Sequence, residues 1–300
     1  MKKKISIIGS TGSVGTTTLK ILNKKKNFFD INLLIKKKNY SKICNQIIFY
    51  KPKIFVILDK KTYKKVINRF KNSNLRTKII NDLYSLKLKS KNDLTISAAP
   101  GIAGLKPTIL FIKHSKKILI ANKEAIICGW NIIKKNSIKY NTKFIPVDSE
   151  HYSLLNLLRN HKKEEIEKIF ITASGGPFLN LDIKKFNKIT PRLALKHPKW
   201  KMGKKISIDS ATLMNKILEL IEAHYLFSID PKNIETYFAL LKRTAKNNNV
   251  EIFRVTSGPK KTNNCLSMLQ KSVINMEKGM SIKNRLSCKY CKFYKTENCT

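Results

Sequence analysis

Short apolar runs alternate with lysine-rich stretches of helical period through the first half of the chain, and few folds accommodate that pattern. The runs are KISIIG (4–9), INLLI (31–35), KIFVIL (53–58), LTISA with its flanks, KILIA (117–121) and KFIPV (143–147). Strands of this kind separated by helix-length crossovers predict a parallel sheet wrapped by helices. A second block follows, with strand KIFIT (168–172), a loop around HPKWKMG, strand KKISID (204–209) and a long helix from Ser210 to Leu226. From about Thr236 the pattern becomes irregular and then cysteine-rich. The expected class is α/β, with one domain over 1–147, an α+β domain over 148–236 and a cysteine-rich remainder over 237–300.

The chain has 300 residues, 42% of them hydrophobic with 14 Phe, enough to build real cores and too many for a disordered chain. Its formal charge of +42 invites a nucleic-acid reading. The lysines argue against a specific one: they run from Lys2 to Lys295 as pairs and triplets among Ile and Asn, a solvated pattern with no focused stripe. The charge favours anionic small molecules. The opening MKKKISIIG holds too short an apolar stretch for a secretory signal, and no segment has the length of a membrane span, so a cytoplasmic chain with reduced thiols is expected.

The first strand runs straight into Gly9-Ser10-Thr11-Gly12-Ser13-Val14-Gly15 and then a helical pattern. Glycines let a backbone turn tightly and approach a pyrophosphate at a helix N-terminus. The spacing is GxxGxxG instead of the commoner GxGxxG, and the strand–turn–helix context raises its weight. After the second strand stand Lys36, Lys37, Lys38 and Asn39, where an NAD binder usually carries an acid. Cationic donors suit a 2′-phosphate and predict NADP(H); scattered surface charge is the plainer alternative.

PVDSEH, Pro146 to His151, sets Asp148 and Glu150 two residues apart at the end of KFIPV. In an extended backbone such residues share a face, and two converging carboxylates call for a hard divalent cation, Mg2+ or Mn2+. A lone DxE is usually a solvated loop, but acids are scarce here, 19 against 61 basic residues. Ser174-Gly175-Gly176-Pro177 after KIFIT reads equally as a phosphate cradle or a tight turn. On the expected helix, Leu213, Ile217, Leu220, Ile221 and His224 form one stripe, with Asp209 or Ser210 as cap. Asn215, Lys216, Glu219 and Glu222 lie on the other side. Lys216–Glu219 is either a solvated ion pair or a phosphate contact beside a metal-binding acid. Trp200 and Met202, among lysines in a Pro/Gly-bounded loop, suit a lid. Lys123 and Glu124 follow KILIAN at the carboxyl end of a parallel strand, where ligands bind in open α/β sheets.

Together, GSTGSVG, ANKE, PVDSEH, ASGGPF, HPKWKMGKKISIDSAT and MNKILELIEA, from Met1 to about Glu235, resemble the 1-deoxy-D-xylulose 5-phosphate reductoisomerase family. The resemblance implies a Rossmann-like NADP-binding domain followed by a catalytic domain. The implied reaction is NADPH-dependent reductive isomerisation of that ketose phosphate to 2-C-methyl-D-erythritol 4-phosphate in isoprenoid precursor synthesis. It implies Asp148, Glu150 and Glu219 as metal ligands and, with Lys123 and His197, as the catalytic set. Ser149, Ser174, His197, Trp200, Ser210, Asn215 and Lys216 would meet substrate. Ser10, Thr11, Gly12, Ser13, Val14, Lys37, Lys38, Asn39, Asn122, Glu124 and Gly203 would meet the cofactor. The family is homodimeric, and no membrane or specific nucleic-acid partner is implied.

Past Glu235 the family's IHPQS-like and PDM-like motifs and its C-terminal helical domain are absent. Residues up to Cys299 instead include Cys265, Cys288 and Cys291, either a small metal module or accidental thiols. Ile217 stands where the family usually has Gly. The rival readings are an inactive remnant of the same enzyme and another NADP-dependent dehydrogenase, for which Cys128 would be the nucleophile.

Overall fold

The computed structural model describes residues 2–254 apart from 87, 89, 174–175, 179–180, 197–203 and 245–246; the side chains at 163, 183, 186, 187, 204 and 237–254 also lie outside it. The chain divides into two compact units, Met1–Arg159 and Asn160–Thr300.

In the first unit seven strands form one sheet: β1 (Lys3–Ile8), β2 (Phe29–Lys36), β3 (Ile54–Ile57), β4 (Lys78–Ile80), β5 (Asn92–Ser97), β6 (Ser115–Ile120) and β7 (Lys143–Pro146). Their order is β4-β3-β2-β1-β5-β6-β7, and every pairing is parallel. The crossovers carry α1 (Ser13–Lys24), α2 (Tyr40–Tyr50), α3 (Lys60–Phe70), α4 (Leu105–Ile112) and α5 (Lys123–Lys139). The chain first winds outward from β1 to β4, then returns to β5 on the other side of β1. Order reverses at β1, and such a reversal opens a crevice beyond the carboxyl ends of the strands.

Alternate residues of each strand feed two cores. Ile5, Ile7, Leu34, Phe55 and Ile57 pack with Leu19 and Leu22 of α1, Ile43 and Ile47 of α2 and Val66 of α3. Ile8, Leu33, Ile35 and Val56 pack with Leu86 and Phe111 on the opposite face. Burial on both faces explains why these strands read as near-continuous apolar runs. All six runs expected as strands in this half are strands. β4, three residues long at the edge, is too short to show a period. After β7 the chain forms α6 (Ser149–Leu157), which stays with the first unit; the boundary expected at 147/148 precedes this helix.

In the second unit β8 (Ile169–Ala173), β9 (Ile234–Thr244) and β10 (Asn247–Arg254) form a sheet of order β10-β9-β8. β8 pairs parallel with β9, and β9 antiparallel with β10. The crossover carries α7 (Pro191–Ala194), α8 (Lys204–Ala211) and α9 (Met214–Phe227).

Three expectations are corrected in this unit. KKISID is helical, not a strand: the alternation of Ile206, Ser207 and Ile208 matches period 2, but it lies within α8, with Ser207 buried and Ile206 exposed. The single long helix from Ser210 is two helices, broken where Leu213 adopts φ 60° and caps α9. Asp209 and Ser210 therefore lie inside α8 and do not cap α9. The region beyond Thr236, expected to be irregular, contains most of β9 and all of β10.

Candidate active site

The glycine turn at the end of β1 is built by close backbone approach. Gly9 has φ +87°, and a Cβ there would meet Ala99 N at 2.6 Å. A Cβ on Gly15 would lie 2.5 Å from Gly9 O. No side chain fits at either position. Gly9 and Ser10 both donate their N–H to Ile35 O, at 2.9 and 3.2 Å, and Gly12 N–H bonds Gly9 O at 3.0 Å. Helix α1 begins at once, with Gly12 as a cap that supplies no side-chain bond, so its first N–H groups face outward for an external acceptor.

The residues expected to meet a cofactor play unequal parts. Ser10 is fully buried, and its hydroxyl donates to Gln46 Oε1 at 2.7 Å. Thr11 is 5% exposed, and its Oγ1 has no hydrogen-bond partner. Ser13 is exposed, while Val14 packs against the core. Lys37 and Lys38 are exposed at the end of β2, and Asn39, at φ 94°, caps α2 by accepting the Lys42 N–H. Beside them, burial and then the nearby Lys42 charge push the Lys36 ammonium below its usual range. Asn122 caps α5 by accepting the Ala125 N–H at 3.0 Å and donates to Ala99 O and, at 3.0 Å, to Gly101 O. Glu124 sits in the first turn of α5.

PVDSEH is not extended beyond Val147. Asp148 is the N-cap of α6, and its Oδ1 accepts the Glu150 N–H at 3.2 Å. The carboxylates converge because a helix cap folds one residue over the next, not because a strand pleat places them on one face. Each offers an oxygen within 4.8 Å of the other. Lys123 Nζ lies 2.6 Å from Asp148 Oδ2, and His151 Nδ1 lies 3.2 Å from Oδ1. Burial alone would raise the Asp148 carboxyl; the His151 imidazole and the Lys123 ammonium outweigh it and hold the group well below the usual carboxylate range. Ser149 donates to Glu150 Oε2 at 2.6 Å.

His151 was not assigned a role from the sequence. Its signal was the i,i+3 spacing from Asp148, legible only once these residues are known to be helical.

In the second unit the charged side of α9 is the buried one, and Leu213, Leu220 and Ile221 of the apolar stripe are only partly buried. Lys216, Glu219 and Glu222 are buried, while Ile217 is half exposed. Lys216 Nζ donates to Thr172 O and to Glu219 Oε2, and Asn215 Nδ2 donates to Glu219 Oε1. Both Glu219 oxygens are thereby oriented by neighbours on the same helix face. His224 Nδ1 bonds Ile229 O at 2.7 Å and closes the helix end. Gly176, at φ +67°, lies against α8, where a Cβ would meet Ser210 O at 2.7 Å. Ser174, His197, Trp200, Met202, Gly203 and the cysteines from 265 onward lie outside the described residues. Cys128 is an exposed thiol in α5. Among the described residues no helix is long and apolar enough to cross a membrane.

An all-parallel sheet with its reversal at β1 and a glycine turn leading into α1 defines the Rossmann class of doubly wound α/β folds. Within that class the match is specific. The model of the 1-deoxy-D-xylulose 5-phosphate reductoisomerase family matches residues 5–129, and that of the same enzyme's C-terminal domain matches 144–227. The chain belongs to this family. It is 49% identical over 237 residues to the Pelagibacter ubique 1-deoxy-D-xylulose 5-phosphate reductoisomerase, covering 78% of this chain and 61% of the relative. Identity to the Wolbachia pipientis enzyme is 41% over 238 residues, covering 78% and 60%. The chain thus spans about three-fifths of the length of these relatives. Among solved structures, the Zymomonas mobilis enzyme in complex with NADPH superimposes with a TM-score of 0.71 at 28% identity, covering 85% of this chain and 65% of that one. A reductoisomerase in complex with NADPH, fosmidomycin and magnesium gives 0.71 at 30% identity, covering 84% and 64%.

Proposed function

We propose that the protein is an NADPH- and divalent-metal-dependent reductoisomerase acting on 1-deoxy-D-xylulose 5-phosphate in the cytoplasm. The product would be 2-C-methyl-D-erythritol 4-phosphate, an isoprenoid precursor. The observation that carries the reading is Asp148, a mostly buried carboxylate held ionised between Lys123 and His151 with a Glu150 oxygen close by. A carboxyl binds a cation in its charged form, and this environment favours that form.

The donor chemistry fits Mg2+ or Mn2+, which take carboxylate oxygens. Asp148 and Glu150 would hold the ion, with Glu219, whose carboxylate Asn215 and Lys216 hold on α9, as the third ligand that the family resemblance implies. When bound, such a cation polarises a carbonyl and stabilises developing negative charge on oxygen. Lys123 and Ser149 would orient the substrate, and Ser174, Ser210, Asn215 and Lys216 would take its phosphate. Those contacts, remote from the reacting carbons, convert binding energy into positioning. His197 and Trp200, outside the described residues, would meet the substrate, and Gly203 the cofactor.

The cofactor fits the glycine turn on separate grounds. The close Gly9–Gly15 packing brings the turn directly to the N-terminus of α1, where unpaired N–H groups suit a pyrophosphate, and the orphaned Thr11 hydroxyl is a donor awaiting an anionic oxygen. Ser13, Lys37, Lys38 and Asn39 would serve the rest of the dinucleotide, the lysines favouring a 2′-phosphate. NADPH supplies the hydride that reduces the rearranged aldehyde. A homodimer, as in the family, completes the proposal.

The test follows NADPH absorbance with the phosphorylated ketose. Oxidation that requires both ketose and Mg2+ or Mn2+, stops with EDTA and survives Cys128→Ala is expected. Turnover indifferent to EDTA, or none with folded protein, refutes it.

A further inference from the structure

Helix α2 buries Ile43, Cys44 and Ile47 with one amide, Gln46, which is 5% exposed. An amide in that position is costly unless both its ends are bonded. Both are, and to one residue 36 positions away. Ser10 Oγ donates to Gln46 Oε1 at 2.7 Å, and Gln46 Nε2 donates to Ser10 O at 2.9 Å. The peptide on the other side of Ser10 is held by the bond from Ser10 N–H to Ile35 O at 3.2 Å. Ser10 is therefore gripped by β2 through its nitrogen and by α2 through its carbonyl and hydroxyl.

The carbonyl matters most. It belongs to the planar trans peptide whose other end is the Thr11 N–H, so fixing one fixes the direction of the other. Thr11, with its buried and unbonded hydroxyl, begins the segment that leads into α1 two residues later.

We infer that Gln46 is a positioning residue for the dinucleotide: through Ser10 it aims the Thr11 peptide at the cofactor pyrophosphate without touching it. The inference rests on the NADPH reading given above. It assigns the Ser10 side chain an inward role.

The test is a fluorescence titration of the full chain with NADPH, using Gln46→Met, Ser10→Ala and the double variant, with Mn2+ affinity as control. Gln46→Met keeps the side-chain length and strands the Ser10 carbonyl. It is expected to weaken NADPH roughly tenfold, with Ser10→Ala weaker by about threefold and the double variant no worse than Gln46→Met. Mn2+ affinity is expected to stay as in the unaltered chain. A merely structural role would lower the melting temperature and leave the NADPH affinity of folded protein unchanged, and that result overturns the inference. Should Gln46→Met not fold, Ser10→Ala decides it by the same criterion. Absence of NADPH binding in the unaltered chain would instead defeat the functional proposal.

Discussion

Replacing Gly15 by alanine sets two effects of opposite sign against each other. Gly15 is the third residue of α1, and alanine inside a helix is worth about 1 kcal/mol over glycine. Propensity alone therefore predicts a more stable protein. The added methyl, however, would lie 2.5 Å from Gly9 O and 2.7 Å from both Ser10 Cα and Ser10 O. All three are backbone atoms of the tight turn, so no flexible side chain can move aside. Relief requires the start of α1 to withdraw from the turn, and overpacking of this kind costs about 1–3 kcal/mol. Three backbone contacts below 3.0 Å put this cost at about 2–3 kcal/mol, so with the propensity gain deducted the net is a loss of about 1–2 kcal/mol. In a unit of this size that lowers the melting temperature by about 3–6 °C. Gly12→Ala is the comparison without a clash: its Cβ would stand 3.4 Å from Gly9 O at φ −75°, so only the weaker capping of α1 by alanine acts, and its melting temperature should fall less than that of Gly15→Ala. Circular-dichroism melts of the three proteins decide the matter. A Gly15→Ala variant melting at or above the unaltered protein would refute the close-approach argument.

Other consequences follow from individual contacts. Asn122→Ala removes the cap of α5 and the bonds to Ala99 O and Gly101 O, and should cost about 1–2 kcal/mol in urea unfolding. Leu34→Ala, at a fully buried position of the central sheet, should cost about 2–5 kcal/mol by the same measurement. Asp93 is held below its ordinary pKa of 3.8 by the Lys116 ammonium and the Lys4 N–H. A depressed carboxyl contributes stability above its unfolded pKa and loses it as pH falls. The advantage of the unaltered chain over Asp93→Asn should therefore be full at pH 7 and shrink below about pH 4 in urea titrations.

The sequence was most legible where one physical rule acted alone. Strands buried on both faces carry their own signal, so β1, β2, β3, β5, β6 and β7 emerge from apolar runs; three-residue β4 does not. The glycine turn was legible because its spacing answers to backbone contact, which no other residue permits. The reading failed where tertiary packing overrode a local pattern. Ile206-Ser207-Ile208 looks like a strand but is helical, and α9 buries Lys216, Glu219 and Glu222 while Ile217 stands half exposed. Burial of a polar face is not foreseeable from periodicity, because it depends on bonds such as those from Lys216 and Asn215 to Glu219 and from Lys216 to Thr172 O. The acids of PVDSEH were found by composition, and their geometry was misjudged because a cap and a strand end look alike in sequence. Gln46 left one faint sign, a single amide among the apolar positions of α2.

The central proposal is that Asp148, Glu150 and Glu219 are the ligands of one divalent cation. Mn2+ titration followed by electron paramagnetic resonance tests it without any need for turnover. One site per chain is predicted, weakened at least tenfold by each of Asp148→Asn, Glu150→Gln and Glu219→Gln and unaffected by Asp93→Asn. A folded Glu219→Gln variant that binds Mn2+ as tightly as the unaltered chain would contradict the account.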